Sequence, residues 1–235
     1  MALIVNKNKF TLGAVLTATF FAFLFIIHNN DLISIKGKSL VTYTDEMFVS
    51  ISKGSVYFIP EVEKVANAYI GKALDVKIKQ NDKSAALFEK LNATVVSEND
   101  NMTIKGDLGE ILINILKDAD TVFKGDDSVL SEKYGYSGKD VILQWWQSLK
   151  EIEGYYKKSK KFGEIESLNT IRIKALEPAF NFYGVEAASA SQNAVGIIGI
   201  IVFYVAYTVW WGYAIYFLCE GVGLLMKKSK VKKEA

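Results

Sequence analysis

Two long apolar stretches, one near each end of the chain, constrain the fold more than any other feature. Residues 10–27 contain no charged side chain, and residues 194–226 contain one, Glu220. A bilayer core about 30 Å thick is spanned by a helix of about 20 apolar residues. We therefore expect two transmembrane helices, over residues 10–28 and 194–226, that flank a central region.

A cleavable signal peptide is the alternative for the first stretch, because Lys7 and Lys9 precede it. The stretch ends on Ile26, Ile27 and His28, which are not the small residues that a cleavage site requires. This ending favours an anchor that stays in the chain.

Lysines beside the two stretches predict the orientation. Lys7 and Lys9 precede the first, and residues 227–235 after the second contain five lysines. Positive residues next to membrane spans favour the cytoplasmic side. We expect residues 1–9 and the basic tail 227–235 in the cytoplasm, and residues 29–193 outside it, in the periplasm or at the cell surface.

The central region has the composition of a folded domain. Its 21 basic and 24 acidic residues are mixed, which argues against nucleic acid as a partner. Apolar spacing of three and four predicts helices over 62–73, about 83–91, from Asp107, and from about Lys139. Residues 93–96 and 102–105 flank an Asn/Asp-rich turn and predict one short β-hairpin. The expected fold is therefore mostly α, an α-rich (α+β) domain between two transmembrane helices.

Two connecting segments are open to more than one interpretation. Residues 31–58 fit either extended segments or a helix next to the membrane. Residues 186–193 are small and polar, and are compatible with a helix that continues into the second transmembrane stretch.

Glu220 is the most informative single residue, because an ionisable group inside a span is by default a functional hypothesis. Tyr213 and Tyr216 lie within reach on the same helix, so all three are candidates for an intramembrane polar contact. Lys227 follows only seven residues later, so an interfacial position or a pair with a tail lysine is the alternative.

Small and aromatic side chains suggest two further contact surfaces. Gly199, Ala206 and Gly212 are candidates for helix packing, since small residues let helices approach closely in lipid. The candidate partner surface in the central region is aromatic and comprises Trp145, Trp146, Tyr155 and Tyr156. Adjacent Trp residues point about 100° apart on a helix, so at most one of them faces a given pocket.

Several kinds of chemistry lack the residues they need. One cysteine, Cys219, and one histidine, His28, exclude an internal disulfide, a cysteine-based metal cluster and a His-rich metal site. The acidic residues from Asp118 onward do not form a calcium loop, because Phe123 and Val129 occupy its glycine and glutamate positions. We expect a solvated helix end and its loop there. We expect no cofactor and no enzymatic activity.

The leading hypothesis is a non-enzymatic integral membrane protein whose extracytoplasmic helical domain binds a partner or supports a membrane assembly. Its partners would be the lipid bilayer and other membrane subunits or a second copy. Two alternatives remain: a small accessory subunit of a transport or energy-converting complex, and a receptor for a small ligand that signals through a partner.

Overall fold

The computed structural model describes residues 4–28, 34–35 and 37–224. This part of the chain is mostly helical, with a small β component. It divides into two compact units: Met1–Phe48 with Ser189–Ala235, and Val49–Ala188. The expected basic tail, residues 227–235, lies outside the described residues.

Two long helices, α1 (Lys7–His28) and α10 (Ala194–Gly221), dominate the first unit. Both are long and apolar enough to cross a membrane. Three contacts show that they run antiparallel: Phe10 with Gly221, Phe20 with Trp211, and Phe23 with Phe203. The beginning of α1 therefore lies beside the end of α10.

Glycine permits the close approach at that end of the helix pair. A Cβ added to Gly13 would lie 2.6 Å from the backbone nitrogen of Leu218. One added to Gly221 would lie 2.6 Å from the Cα of Phe10. The backbone N–H groups of Val5 and Asn6 also donate to the Gly221 carbonyl, at 2.9 and 3.0 Å, and so satisfy one of the carbonyls that a helix end leaves free.

The described part of residues 31–58 contains both extended segments and a helix. Strands β1 (Ser34–Ile35) and β2 (Lys38–Ser39) pair antiparallel, and helix α2 (Leu40–Ser55) follows directly. The boundary between the two units lies inside α2, after Phe48.

The second unit combines a three-stranded antiparallel sheet with a set of helices. Its elements are α3 (Ile59–Asn67), β3 (Ala73–Lys79), α4 (Asp82–Lys90), β4 (Thr94–Glu98), β5 (Asn101–Asp107), α5 (Leu108–Lys124), α6 (Asp127–Tyr134), α7 (Gly138–Lys158), α8 (Phe162–Ile171), a π-helical turn (Arg172–Leu176) and α9 (Glu177–Asn181). The strand order is β3-β5-β4, and Ile104 of β5 pairs with Val76 on one side and Val95 on the other.

The prediction of a single hairpin is correct for β4 and β5 but misses β3 and the β1–β2 pair. Residues 73–79 alternate between exposed and buried, with Leu74, Val76 and Ile78 buried, which is the period of a half-buried strand. The sequence interpretation extended a helix to Ala73. That helix ends at Asn67, and the chain then turns through Gly71 at a φ of +81°, a conformation that glycine adopts without strain.

Helices α5 and α7 supply much of the core of this unit. The Asp107 side chain caps α5 by accepting the Glu110 N–H at 2.9 Å, and Ser137 caps α7 by accepting the Asp140 N–H. Apolar side chains on one face of each helix, such as Leu112 and Leu149, are fully buried. The buried face of α7 packs against β3 and α5.

Residues 186–193 do not continue a helix into α10. They form turns and irregular structure, and α10 begins at Ala194. Local side-chain bonds satisfy the backbone here, since the Ser189 N–H donates to Gln192 Oε1 and the Gln192 N–H donates to Ser189 Oγ. Such bonds compete with helix formation.

Candidate functional site

A cleft of about 850 Å³ opens between β3, the β4–β5 turn and the last turns of α7. Residues 77–80 and 99–101 form one wall, and Glu151, Gly154, Tyr155 and Lys158 form the other. A second cavity of about 460 Å³ shares residues 78–80 and Glu151 with it and continues along α7 toward Trp146. We call the two together the β3–α7 cleft.

Two buried polar atoms in this cleft have no hydrogen-bond partner in the described part of the chain: Gln80 Oε1 and Ser148 Oγ. Both residues line the smaller cavity, and Ser148 is 2% exposed. Beside them, Asn81 Nδ2 and Ser84 Oγ both donate to Gln144 Oε1, at 2.9 and 3.3 Å. A buried polar group left unpaired costs about 1–3 kcal/mol, so a ligand that pairs with these two atoms would be favoured in the cleft.

The cleft is lined by more cations than anions. Lys77 lies 3.0 Å from Glu98, but Lys79 and Lys158 have no acidic partner among the described residues. Lys150 also lines the smaller cavity, where its ammonium lies over the Trp146 ring. Two carboxylates, Asp100 and Glu151, line the cleft with these four lysines.

The two adjacent tryptophans have different environments. Trp145 is fully buried, and its Nε1 donates to Asp118 Oδ2 at 2.9 Å. Trp146 is half-buried at the cleft, where its Nε1 donates to Glu177 Oε1 at 3.0 Å. The Arg172 guanidinium lies 4.9 Å from the centre of the Trp146 ring and fixes its orientation.

The two adjacent tyrosines also differ in burial. Tyr155 is half-buried and lines the cleft, whereas Tyr156 is 2% exposed. Burial raises the pKa of Tyr156 to about 12. Of the four residues expected at a partner surface, Trp146 and Tyr155 line the cleft, while Trp145 and Tyr156 belong to the core.

A buried acidic contact in α5 differs from the sequence interpretation, which placed it at a solvated helix end. Asp118 is 4% exposed and accepts hydrogen bonds from Tyr134, at 2.6 Å, and from Trp145. The Lys133 ammonium lies 2.9 Å from Asp118 Oδ1. Burial and the Asp118 charge raise the pKa of Tyr134. The position of Asp118, three residues after Ile115 on the apolar face of α5, is the signal that reveals it.

In the helix pair, Glu220 forms an ion pair with Lys9, whose ammonium donates to Glu220 Oε2. Tyr216 lies one turn earlier on α10 and is also a neighbour of the Glu220 carboxylate. Tyr213 is 55% exposed. The sequence interpretation considered Tyr213, Tyr216 or a tail lysine as the partner of Glu220. Lys9 was missed because it is 211 residues away in the chain.

The candidate packing residues of α10 do not lie at its contact with α1. Gly199, Ala206 and Gly212 are exposed, and a Cβ at Gly199 or Gly212 would meet nothing within 4 Å. The close glycine contacts are at Gly13 and Gly221. Gly199 also lines an apolar cavity of about 620 Å³ between the end of α1, the beginning of α10 and the start of α2.

Within the described ranges, no group of three or more His, Cys, Asp and Glu side chains could hold a metal ion. Comparisons of the chain with protein-family models, with curated proteins and with solved structures find no match.

Proposed function

We propose that this chain is a non-enzymatic, two-span membrane protein whose extracytoplasmic domain binds a partner protein through the β3–α7 cleft. The observation that carries the proposal is the cleft itself, an open site with unpartnered buried polar atoms beside half-buried aromatic side chains.

The helix pair supports the membrane part of this proposal. Helices α1 and α10 are apolar around most of their circumference, as expected of helices surrounded by lipid. Since the two helices pack antiparallel, Asn6 and Gly221 would lie on the same side of a membrane, and the lysines near the ends favour the cytoplasm for that side. Residues 29–193 are then extracytoplasmic.

The composition of the cleft supports binding of a protein rather than catalysis. Amide, hydroxyl and ammonium groups outnumber its two carboxylates. Trp146 and Tyr155 add large apolar surfaces with a polar edge, and such side chains are enriched at protein interfaces. Hydrogen bonds to Gln80 and Ser148 would recover the cost of burying them without partners.

A second candidate function, a subunit of a membrane assembly, is favoured by the open face of α10. Gly199 and Ala206 are exposed and lie seven residues apart, on the same face of the helix, and a Cβ at Gly199 would meet nothing within 4 Å. Small residues of this kind accept a neighbouring helix in lipid. An accessory subunit of a larger complex, or a homo-oligomer, would use this face.

Site-specific photo-crosslinking of the full chain in its native cells tests the partner proposal. A photoreactive residue at Tyr155, inside the cleft, should yield a discrete adduct with another protein. The matched control is Phe162, which is 68% exposed and lies outside the cleft. Equal adducts at both positions, or none at Tyr155, would contradict binding through the cleft.

A further inference from the structure

One edge of strand β3 carries backbone groups without a strand partner. The Gln80 N–H donates to the Asp100 carbonyl at 2.9 Å, next to the Lys79–Asn101 pair. Backbone groups alternate in direction along an antiparallel strand. Those of Val76 and Ile78 therefore point toward β5, and those of Asp75, Lys77 and Lys79 point away from it. The second group has no backbone partner in the described part of the chain.

The β3–α7 cleft runs along this edge. It touches Ile78, whose side chain faces the core, and also Lys77 and Lys79, whose side chains face outward. Its helical wall extends from Trp146 to Lys158, which is about 18 Å at 1.5 Å per residue. An extended segment covers that distance with about five residues.

The charge of the cleft favours an extended segment with acidic side chains. Its lining has four lysines and two carboxylates, and Lys79 and Lys158 have no acidic partner among the described residues. Successive side chains of a strand point to opposite faces, so alternating acidic side chains that face α7 would meet the Lys158 ammonium. The ligand's backbone would supply donors and acceptors for Gln80 Oε1, Ser148 Oγ and the edge of β3.

We propose that the β3–α7 cleft binds an extended, acidic segment of the partner protein, which adds to the sheet as a fourth strand beside β3. Strand addition of this kind derives affinity from main-chain hydrogen bonds and specificity from the alternate side chains. The inference rests on the proposed function, since it names the chemistry of the partner at that same cleft.

The test uses the full chain in phosphatidylcholine nanodiscs and a fluorescent hexapeptide in which Glu and Val alternate, with blocked termini. Fluorescence anisotropy should show saturable binding. A Lys–Val peptide, and a Glu–Val peptide methylated at every backbone nitrogen, should each bind at least tenfold more weakly. The first comparison tests charge, and the second tests main-chain hydrogen bonding.

Hydrogen exchange reports the position of the bound peptide. The amides of Asp75, Lys77 and Lys79 should exchange more slowly when the peptide is bound. Val95 and Ser97, whose amides point outward at the opposite edge of the sheet, provide the internal control and should not change.

Two matched pairs of variants test the cleft. Lys158→Glu should weaken binding at least tenfold, whereas Lys157→Glu, on the same helix turn but outside the lining, should change it less than twofold. Gly154→Leu should fill the cleft, whereas Gly163→Leu lies outside it. A Cβ at either glycine meets nothing within 4 Å, so both variants should fold.

Equal binding of acidic and basic peptides, no binding of either, or unchanged exchange at β3 would overturn the inference. Slow exchange at β3 that depends on protein concentration without peptide would identify a second copy as the occupant, and would also overturn it. An adduct at Tyr155 without peptide binding would leave the proposed function standing. Peptide binding without an adduct in cells would contradict the proposed function alone.

Discussion

The helix pair and the domain Val49–Ala188 distribute their apolar side chains in opposite ways. Helix α5 of the domain buries ten of its 17 residues, and Leu112 is fully buried. Helix α10 is longer but buries only Ala214 and Gly221, while Val195 is 86% exposed. The domain provides its own apolar interior, whereas the helix pair has the surface expected of a segment that lipid surrounds.

Polar contacts show the same difference. In the domain, Asp118 is buried and accepts hydrogen bonds from three side chains. The helix pair places its ion pair, Lys9 with Glu220, near one end, where the long side chains can reach the interface. A charged group deep in the domain is therefore part of its packing, and one in the helix pair marks where the apolar segment ends.

The largest effect should come from cysteine labelling, because each introduced cysteine should react almost completely or hardly at all. In a Cys219→Ser background, Ser97→Cys should react in intact cells with a maleimide that cannot cross the membrane. Asn8→Cys should react only after permeabilisation, because the proposed topology puts Asn8 in the cytoplasm. The reverse pattern, or labelling of both in intact cells, would disprove the proposed topology.

A pair of tryptophan substitutions compares the interiors of the two regions. Trp145→Ala should destabilise the domain by about 3–5 kcal/mol, because it leaves a cavity and removes a donor from Asp118. Trp211→Ala in the helix pair should cost less, since lipid can replace the lost contacts. Pulse proteolysis of the full chain in nanodiscs measures both, and equal losses would remove the distinction between the regions.

Charge exchange tests the ion pair at the end of the helix pair. Lys9→Glu and Glu220→Lys should each lower the melting temperature of the detergent-solubilised chain, and the double variant should recover much of the loss. Glu220→Gln should insert normally and weaken the helix pair less than Glu220→Lys, since it keeps the shape of the side chain. If the double variant is no better than the single ones, Lys9 and Glu220 do not act as a pair.

The smallest effect should be a loss of stability of the domain at alkaline pH. Burial raises the pKa of Tyr156 to about 12, above its unfolded value of about 10. The unfolded chain therefore loses this proton first, and the stability contributed by neutral Tyr156 falls as pH rises from about 10 to 12. Denaturation of the full chain should show a shallower decline for Tyr156→Phe than for wild type. An unchanged slope would mean that Tyr156 ionises equally in both states.

Sequence patterns predicted the elements whose signal is local. The hairpin of β4 and β5, the Asp107 cap and the two long apolar helices each depend on residues within a few positions of one another. The environment of Asp118 and the partner of Glu220 depend on residues that only the fold brings together. Strand β3 had a local signal, the alternation from Leu74 to Ile78, but the helical spacing just before it was extended too far.

The bonds from Val5 and Asn6 to Gly221 join the first and last described turns of the chain, and this sets an order of events during synthesis. Glu220 leaves the ribosome 211 residues after Lys9, about 10–40 s later at ordinary elongation rates. Helix α1 must persist through that interval without α10. The domain, whose strands and helices lie between the two, is complete before α10 emerges. Closure of the helix pair is thus a late step of assembly.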